Sequence, residues 1–388
     1  MKLPDNITFL GTDDDELDLF EGQYPLSAGI SYNSYLINCD KIAIIDAVDR
    51  RKSEVWLNML QGELKGRKPD YLIIQHMEPD HSGSLRELLI LYPDVKIVCS
   101  VPAKAMLIDY FEDLDFTNKV LTVKDGEALS LGRTSLRFLT APMVHWPEVM
   151  LTVDETDGVL FSADAFGSFA MSGAEIESAW PTEARRYYTN IVGRFGTSVQ
   201  ALMKKLQGLK FSVIAPLHGP VLTDDLPRYW GLYDKWSRYE PESDGVFVAY
   251  ASVYGGTAHA AEMIAAELRR RGASDVVLMD LCRHDVSYAV AEAFRLSCMV
   301  ACSVTYDAGL FPAMLNFLHH LQAKKLKNRK VALVENGSWA PIAAKQMAAE
   351  FEKMEGMTVV PEILTIKSRL HKSDFPAIES LVDSLLSD

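Results

Sequence analysis

The chain has 388 residues, of which 48% are hydrophobic, and this length is enough for two separate cores. Its formal net charge of −14 argues against a nucleic-acid or anionic-membrane surface, because both favour clustered Lys and Arg. No stretch approaches the roughly 20 apolar residues of a membrane helix, and the start, MKLPDNITFLGTDDDELDLF, lacks a basic and apolar leader. We therefore expect a soluble, cytoplasmic protein with two domains.

The sequence pattern of residues 1–240 predicts a mixed α/β domain. Short apolar segments that are typical of strands read YNSYLI, KIAIIDA, YLIIQ, KIVCS, SLRFLTA, VMLTV and GVLFSAD. Helices are expected between them, near residues 52–64, 83–91, 102–112 and 183–206. The acidic run Asp13–Glu16 is interpreted as a solvated turn.

Residues 246–388 predict a second domain. RYEPESDG, residues 238–245, is polar and contains Pro241 and Gly245, which indicates a linker. Beyond it, the apolar segments VFVAYAS, VVLMDL, CMVACSV, KVALVEN and TVVPEIL alternate with helical ones. This alternation predicts a doubly wound parallel sheet of flavodoxin type. The five cysteines include no C-x-x-C pair, so no disulfide framework or rubredoxin-like iron site is expected.

The segment IIQHMEPDHSGS, residues 73–84, gathers four potential metal ligands after an apolar strand. His76 and Glu78 are two positions apart, so in extended backbone both project to the same side. Pro79 is expected to delay the following helix, which leaves Asp80 and His81 in the turn before it. These four side chains should converge on one rim of the sheet.

Three further ligand-type residues follow apolar strands elsewhere in the first domain. They are His145, Asp164 and His218. The ends of strands are where a layered α/β fold presents its chemistry, so the full set predicts a metal site. The alternative is that these residues are isolated polar caps on strand ends.

The ordered set His76, Glu78, Asp80, His81, His145, Asp164 and His218 resembles the H-x-H-x-D-H…H…D…H order of the metallo-β-lactamase superfamily. Glu78 stands where a second His is usual. This H-x-E-x-D-H form, with HWPEVM, SADAFG, HGP and a flavodoxin-like domain downstream, resembles the flavodiiron protein family, or A-type flavoproteins. The resemblance covers essentially the whole chain and implies an αβ/βα sandwich, which is the diiron domain of residues 1–240, followed by a flavodoxin-like domain.

The resemblance also implies how two iron ions are held. His76, Glu78 and His145 would hold one iron, Asp80, His81 and His218 the other, and Asp164 would lie between them. The chemistry of Glu78 agrees, because a carboxylate in place of an imidazole makes the site harder and moves its preference from zinc toward iron. Tyr24 and Trp146 are candidates for groups near the substrate pocket, with core packing as the alternative role.

An FMN site is expected in the second domain. ASVYGGTAHAAE follows its first strand and opens a helix, whose N-terminus favours a phosphate. SVTYDAGLFP and ENGSWAP follow two further strands, although Gly256, Val304 and the Trp339–Pro341 segment depart from the usual flavodoxin patterns. The expected FMN-binding residues are Ser252, Val253, Tyr254, Gly255, Gly256, Thr257, Ser303, Val304, Thr305, Tyr306, Asp307, Asn336, Gly337, Ser338 and Trp339. The alternative is an α/β domain without a cofactor.

The resemblance implies an oxidoreductase that reduces O2 to water, or NO to N2O, at a diiron site refilled by FMN. The electrons would come from an external rubredoxin or NAD(P)H-dependent reductase, and the working unit would be a head-to-tail homodimer or a dimer of dimers. One alternative is a dinuclear zinc hydrolase fused to a flavodoxin-like module, against which Glu78 argues. Another is a non-enzymatic electron carrier, against which the ligand set argues.

Overall fold

The computed structural model describes residues 3–387, with the side chains of residues 176–179 outside that description. The chain divides into two compact units, Met1–Asp234 and Lys235–Asp388. This division lies a few residues before the predicted linker. Tyr239, within that linker, is buried in the core of the second unit. Among the described residues, no helix combines the length and apolar character that crossing a bilayer requires.

The first sheet of unit 1 has six strands. The first ten strands of the chain are β1 Ile7–Phe9, β2 Thr12–Asp14, β3 Leu19–Phe20, β4 Tyr24–Pro25, β5 Ile30–Tyr32, β6 Tyr35–Asn38, β7 Ile42–Ile45, β8 Tyr71–Ile74, β9 Lys96–Cys99 and β10 Val120–Thr122. The sheet order is β1-β6-β7-β8-β9-β10, while β2 pairs with β5 and β3 with β4. Pairing is antiparallel from β1 to β7 and parallel from β7 to β10.

The second sheet of unit 1 has five strands in chain order. They are β11 Ala128–Ser130, β12 Ser135–Thr140, β13 Met150–Asp154, β14 Val159–Phe161 and β15 Val213–Ala215. Apolar side chains of both sheets form one buried cluster, in which Ile45 and Ile73 meet Phe138 and Phe161. The two sheets therefore face each other across a shared core, as expected for the αβ/βα sandwich.

In the described part of the chain, seven α-helices lie within unit 1 or cross its end. They are α1 Ser53–Leu64, α2 Pro79–Ser82, α3 Leu85–Leu91, α4 Val101–Tyr110, α5 Ile176–Tyr187, α6 Gly196–Leu206 and α7 Leu226–Ser237. The helix expected over 183–206 is in fact two helices, because a π-helical turn, Tyr188–Val192, and a 3-10 turn separate α5 from α6. Pro79 begins α2 instead of delaying it, since proline has no N–H to lose at the first position of a helix.

The acidic run near the N-terminus is only partly solvated. Asp14 is buried in β2, and its carboxylate lies 3.2 Å from Lys52 Nζ and 3.3 Å from Arg51. The Tyr32 hydroxyl donates to the same carboxylate at 3.3 Å. The interpretation of a solvated turn is therefore wrong for Asp14, whose buried charge is paired with two cations.

Unit 2 is a doubly wound sheet with helices on both faces. Its strands are β16 Ser243–Ala251, β17 Val276–Asp280, β18 Leu296–Tyr306, β19 Gly309–Leu310, β20 Lys330–Asn336 and β21 Thr358–Ile366. Its helices are α8 Gly256–Arg270, α9 Val286–Arg295, α10 Pro312–Ala323, α11 Ala343–Phe351 and α12 Phe375–Leu386. The order β17-β16-β18-β20-β21 is parallel throughout, and β19 pairs antiparallel with β18. Numbered within the unit, this is the flavodoxin order 2-1-3-4-5, which confirms the predicted fold.

Candidate metal centre and flavin pocket

The predicted metal ligands all lie just beyond the ends of strands in unit 1. Two are in extended backbone after β8, two are on the short helix α2, and one each follows β12, β14 and β15; in that order they are His76, Glu78, Asp80, His81, His145, Asp164 and His218. The turn of α2 is what allows the adjacent Asp80 and His81 to face the same place. The structure therefore brings all seven predicted residues together.

Four of these residues form a first group, in which one potential ligand atom of each lies within 4.8 Å of the others: His76, Glu78, His145 and Asp164. Glu78 Oε2 lies 3.1 Å from His76 Nε2 and 3.0 Å from His145 Nε2. Asp164 Oδ2 lies 2.9 Å from His145 Nε2 and 3.4 Å from His76 Nε2. Carboxylate oxygens and imidazole nitrogens thus point into one small volume.

The other three residues form a second group: Asp80, His81 and His218. Asp80 Oδ2 lies 3.2 Å from His218 Nε2 and 3.5 Å from His81 Nε2. Asp164 reaches this group as well, because its Oδ1 lies 3.2 Å from His81 Nε2. Its two carboxylate oxygens therefore face different groups, which is the arrangement that a bridging ligand requires.

Burial and charge at this cluster are those of a metal site. Within residues 3–387, the side-chain oxygens of Asp80 and Asp164 and the Nε2 of His81 are buried without hydrogen-bond geometry to any partner. Burial raises the pKa of Asp164, but His76, His145 and His81 outweigh it and hold that pKa well below its usual range. Buried polar atoms of this kind call for an ion, and four imidazoles with three carboxylates fit two divalent iron ions.

Burial lowers the pKa of His145, but the carboxylates of Asp164 and Glu78 outweigh this effect and raise the pKa to about 9. The same competition leaves the pKa of His76 well above its ordinary value, with Asp164 and then Glu148 as the groups that raise it. Without a metal, these imidazoles would therefore hold protons at neutral pH, and a metal ion has to displace them.

The aromatic residues around the cluster include one that the sequence did not single out. Trp146 packs edge-on to His76, with ring centroids 5.2 Å apart, whereas the hydroxyl of Tyr24 donates to the Asn190 carbonyl at 3.3 Å. Tyr187 is fully buried with its ring 5.5 Å from that of His218. Its position inside a long helical segment gave no signal, because only the fold places it beside the ligands.

Unit 2 contains a cavity of about 510 Å³ at the carboxyl ends of its central strands. The predicted residues that line it are Ser252, Val253, Tyr254, Gly256, Thr257, Val304, Thr305, Tyr306, Asp307, Asn336, Gly337, Ser338 and Trp339. Of the predicted set, Gly255 and Ser303 are not among the lining residues; Ser303 is fully buried. Ala308, Ala340, Ile342 and Ser368 line it in addition.

The helix that opens at this cavity begins at Gly256, and the backbone explains why that residue is glycine. A Cβ at Gly256 would lie 2.2 Å from the Ser368 carbonyl oxygen and 3.0 Å from Asn336 Nδ2. The Asn336 amide donates to Thr257 Oγ1 at 3.3 Å and to the Ser368 carbonyl at 3.2 Å. The Asn that flavodoxin-like loops usually have at this position would therefore collide with Ser368 and Asn336.

The cavity fits FMN in three respects. The N-terminus of α8 offers backbone N–H groups to a phosphate. The hydroxyls of Ser338 and Ser368 lie 2.8 Å apart at the same cavity. Trp339 and Tyr254 are 83% and 98% exposed, so flat aromatic surfaces are available to an isoalloxazine ring.

Comparisons with known proteins agree on one family of relatives. The model of the ODP family of beta-lactamases matches residues 30–219. The anaerobic nitric oxide reductase flavorubredoxin of Vibrio vulnificus is 31% identical over 87% of this chain and 70% of its own length. A putative diflavin flavoprotein A 1 of Nostoc is 30% identical over 94% of this chain. The chain spans 63% of the length of that protein and 49% of the Synechocystis diflavin flavoprotein A 1.

Solved structures show the same fold over almost the whole chain. Rubredoxin oxygen:oxidoreductase from Desulfovibrio gigas has a TM-score of 0.92 and covers 99% of this chain, with 97% of its own length matched at 24% identity. The flavodiiron protein from Giardia intestinalis has a TM-score of 0.90, with 97% and 94% of the two chains covered at 23% identity. Taken with the sequence relatives, these matches place the chain in the flavodiiron protein family.

Proposed function

We propose that this chain is a diiron and FMN oxidoreductase that reduces O2 to water, NO to N2O, or both, with electrons from an external donor. The observation that carries the proposal is the Asp164 carboxylate, whose two oxygens face two separate sets of His and carboxylate side chains. The two irons would bind the diatomic substrate and supply electrons as a pair, and FMN would relay electrons to them. His76, Glu78 and His145 would hold one iron, and Asp80, His81 and His218 the other.

The relatives support both substrates. One carries the name anaerobic nitric oxide reductase flavorubredoxin, and a structural neighbour carries the name rubredoxin oxygen:oxidoreductase. The ring of the buried Tyr187 lies beside His218 and the indole of Trp146 packs against His76, so each group of ligands has an aromatic neighbour.

The electrons would come from a donor site outside these residues. No C-x-x-C pair occurs within these 388 residues, so the chain does not carry a rubredoxin-type iron site of its own in them. A rubredoxin or an NAD(P)H-dependent reductase would therefore reduce the FMN, and the cavity of unit 2 would hold that FMN.

The working unit would be a head-to-tail homodimer. Each unit carries exposed apolar residues: Val101 and Ile108 on α4 in unit 1, and Tyr254 and Trp339 at the cavity of unit 2. The pKa of Tyr110, at the end of α4, is raised by burial and then by Glu78, which indicates that this helix lies near the metal ligands. Two apolar faces of this kind would cover each other across a two-fold axis and bring FMN to iron.

The test begins with metal and flavin analysis of the purified chain. We expect two irons and one FMN per chain, whereas two zinc ions without redox activity would favour the dinuclear hydrolase and FMN alone would favour an electron carrier. The protein is then reduced anaerobically and given O2 or NO in separate experiments. Consumption of neither gas by the iron- and FMN-loaded protein would overturn the proposal.

A further inference from the structure

The two metal-ligand groups differ in the partner that holds one histidine of each. In the first group, His76 Nδ1 lies 2.7 Å from Glu148 Oε1, and both side chains are buried. In the second group, His218 Nδ1 lies 2.8 Å from the Ser31 carbonyl oxygen. Both partners are acceptors, so in each case Nδ1 donates and Nε2 is left to face the metal.

The position of Glu148 is fixed by further hydrogen bonds. Glu148 Oε1 also accepts from the Met77 N–H at 2.9 Å, and the Glu148 carbonyl accepts from the Ser100 hydroxyl at 2.7 Å. Glu148 is thus hydrogen-bonded to the backbone between His76 and Glu78 and to Ser100 at the start of α4, while its carboxylate contacts His76. Glu148→Gln therefore removes the negative charge but keeps the backbone carbonyl that accepts from Ser100.

The chemistry of the two acceptors is not equivalent. A carboxylate carries a full negative charge and makes a stronger hydrogen bond to an imidazole N–H than a neutral carbonyl does. Such a bond raises the basicity of the imidazole and therefore its strength as a metal ligand. On the Nε2 side the two histidines are alike, because Glu78 lies 3.1 Å from His76 and Asp80 lies 3.2 Å from His218. The charge of Glu148 on the Nδ1 side is therefore the difference between them.

We infer that the two metal positions are unequal, and that Glu148, acting through His76, makes the position of His76, Glu78 and His145 the one that holds its iron more tightly. This inference rests on the proposed diiron function. Glu148 is a positioning residue, because it contacts the ligand and not the metal. Its role is therefore tested by measuring the affinity for iron, without measuring turnover.

The experiment separates the two positions by removing one ligand from each in turn. His218→Ala leaves the first position intact, and His145→Ala leaves the second. In each background the dissociation constant of Fe(II) is measured anaerobically by competition with a chelator, with and without Glu148→Gln. We expect Glu148→Gln to weaken binding about 10–100-fold in the His218→Ala background and less than about twofold in the His145→Ala background.

Glu155→Gln is the matched control, because the exposed Glu155 side chain pairs with Arg137 of β12 at 2.7 Å. A loss of similar size in both backgrounds would mean that Glu148 only supports the fold, and no loss in the first background would mean that its charge does not act on His76. Either result overturns the inference.

A second measurement avoids the ligand deletions. In the otherwise unchanged chain, the two stepwise Fe(II) dissociation constants should be separated, and Glu148→Gln should bring them closer together. An unchanged ratio would overturn the inference. A chain that binds no pair of irons at all would instead overturn the proposed function, so the two failures are distinguishable.

Discussion

Asp164 Oδ2 lies 2.9 Å from His145 Nε2, while its other oxygen, Oδ1, faces His81 Nε2 at 3.2 Å. One carboxylate therefore serves both groups of ligands. Asp164→Asn keeps the side-chain shape but replaces one of these oxygens by an amide that does not bind a cation. We expect iron content to fall from two per chain to one or none, because a bridging ligand contributes to both positions. Iron and protein are quantified on the same sample.

Asp94→Asn is the control for this substitution, because Asp94 is a surface carboxylate of unit 1 that lies 3.7 Å from Lys68. It should keep two irons. If Asp164→Asn also kept two irons and normal turnover, the carboxylate would not be a bridge.

Glu78 decides the preference of the site between iron and zinc. Glu78→His replaces a hard oxygen ligand by imidazole and restores the nitrogen-rich set of the metallo-β-lactamase pattern. We expect a higher ratio of zinc to iron when apo-protein is offered both metals, together with loss of O2 or NO reduction. A variant that retained two irons and full turnover would show that the hardness of this ligand is unimportant.

The affinity for iron should rise with pH through the titration of His145. The pKa of this residue is raised to about 9 in the folded, metal-free chain, against about 6.5 for an unperturbed His. At pH 7 the imidazole is protonated, so iron has to displace a proton, and each unit of pH up to about 9 should strengthen binding by about tenfold for this group. Calorimetry in two buffers of different ionisation enthalpy should detect release of at least about one proton per chain at pH 7.

The same shift sets the direction of a stability effect in the metal-free chain. Because the folded pKa lies above the unfolded one, the stabilisation from protonated His145 is complete below about pH 6.5 and is lost as pH rises through about 9. In denaturant unfolding of the apo-protein, the free energy of unfolding should decrease over this pH range. In His145→Gln this decrease should be smaller. If the calorimetry showed no proton released on iron binding at pH 7, the raised pKa of His145 would be contradicted.

Gly256 tests the flavin cavity. In Gly256→Ala the new Cβ would lie 2.2 Å from the Ser368 carbonyl oxygen, so the loop that contains Ser368 has to move away from the start of α8. We expect the dissociation constant of FMN, measured by quenching of flavin fluorescence on apo-protein, to rise about tenfold or more, equivalent to about 1.4 kcal/mol. Gly62→Ala is the control, since nothing lies within 4 Å of a Cβ there. Equal FMN affinity in both variants would show that the close approach of Gly256 to the Ser368 carbonyl does not matter for FMN binding.

Much of the site was predictable from sequence because its residues follow local rules. Each metal ligand comes within a few residues of an apolar strand, and strand ends meet at one rim of a sheet. The same holds for the three flavin loops after β16, β18 and β20. Glu148 and Ser368 escaped prediction because their roles depend on contacts made across the fold: Glu148 is 72 positions from His76, and Ser368 is 32 positions from Asn336.

Charge was the least predictable property. Asp14 belongs to an acidic run yet is buried, because the cations that pair with it, Arg51 and Lys52, come from the 3-10 turn just before α1, distant in the sequence. Arg329 belongs to the basic segment KKLKNRK, residues 324–330, whose run of charges by itself favours a solvated helix end. Its guanidinium is instead buried and donates to backbone carbonyls, including that of Tyr239 at 2.8 Å. A sequence run shows how many charges are present but not which of them face solvent.

The head-to-tail dimer makes a prediction that a single-chain arrangement does not. One inactive partner carries His145→Ala and keeps its FMN cavity, and the other keeps its iron ligands but has residues 252–257 and 303–307 altered so that FMN no longer binds. In a mixed dimer, the FMN of the first chain faces the iron ligands of the second. Half of a random mixture is mixed dimer, and each has one working pair of two, so about a quarter of the normal activity per chain should return. Subunit exchange is verified first with two differently tagged chains, and mixtures that contain verified mixed dimers yet stay inactive would rule out electron transfer between subunits.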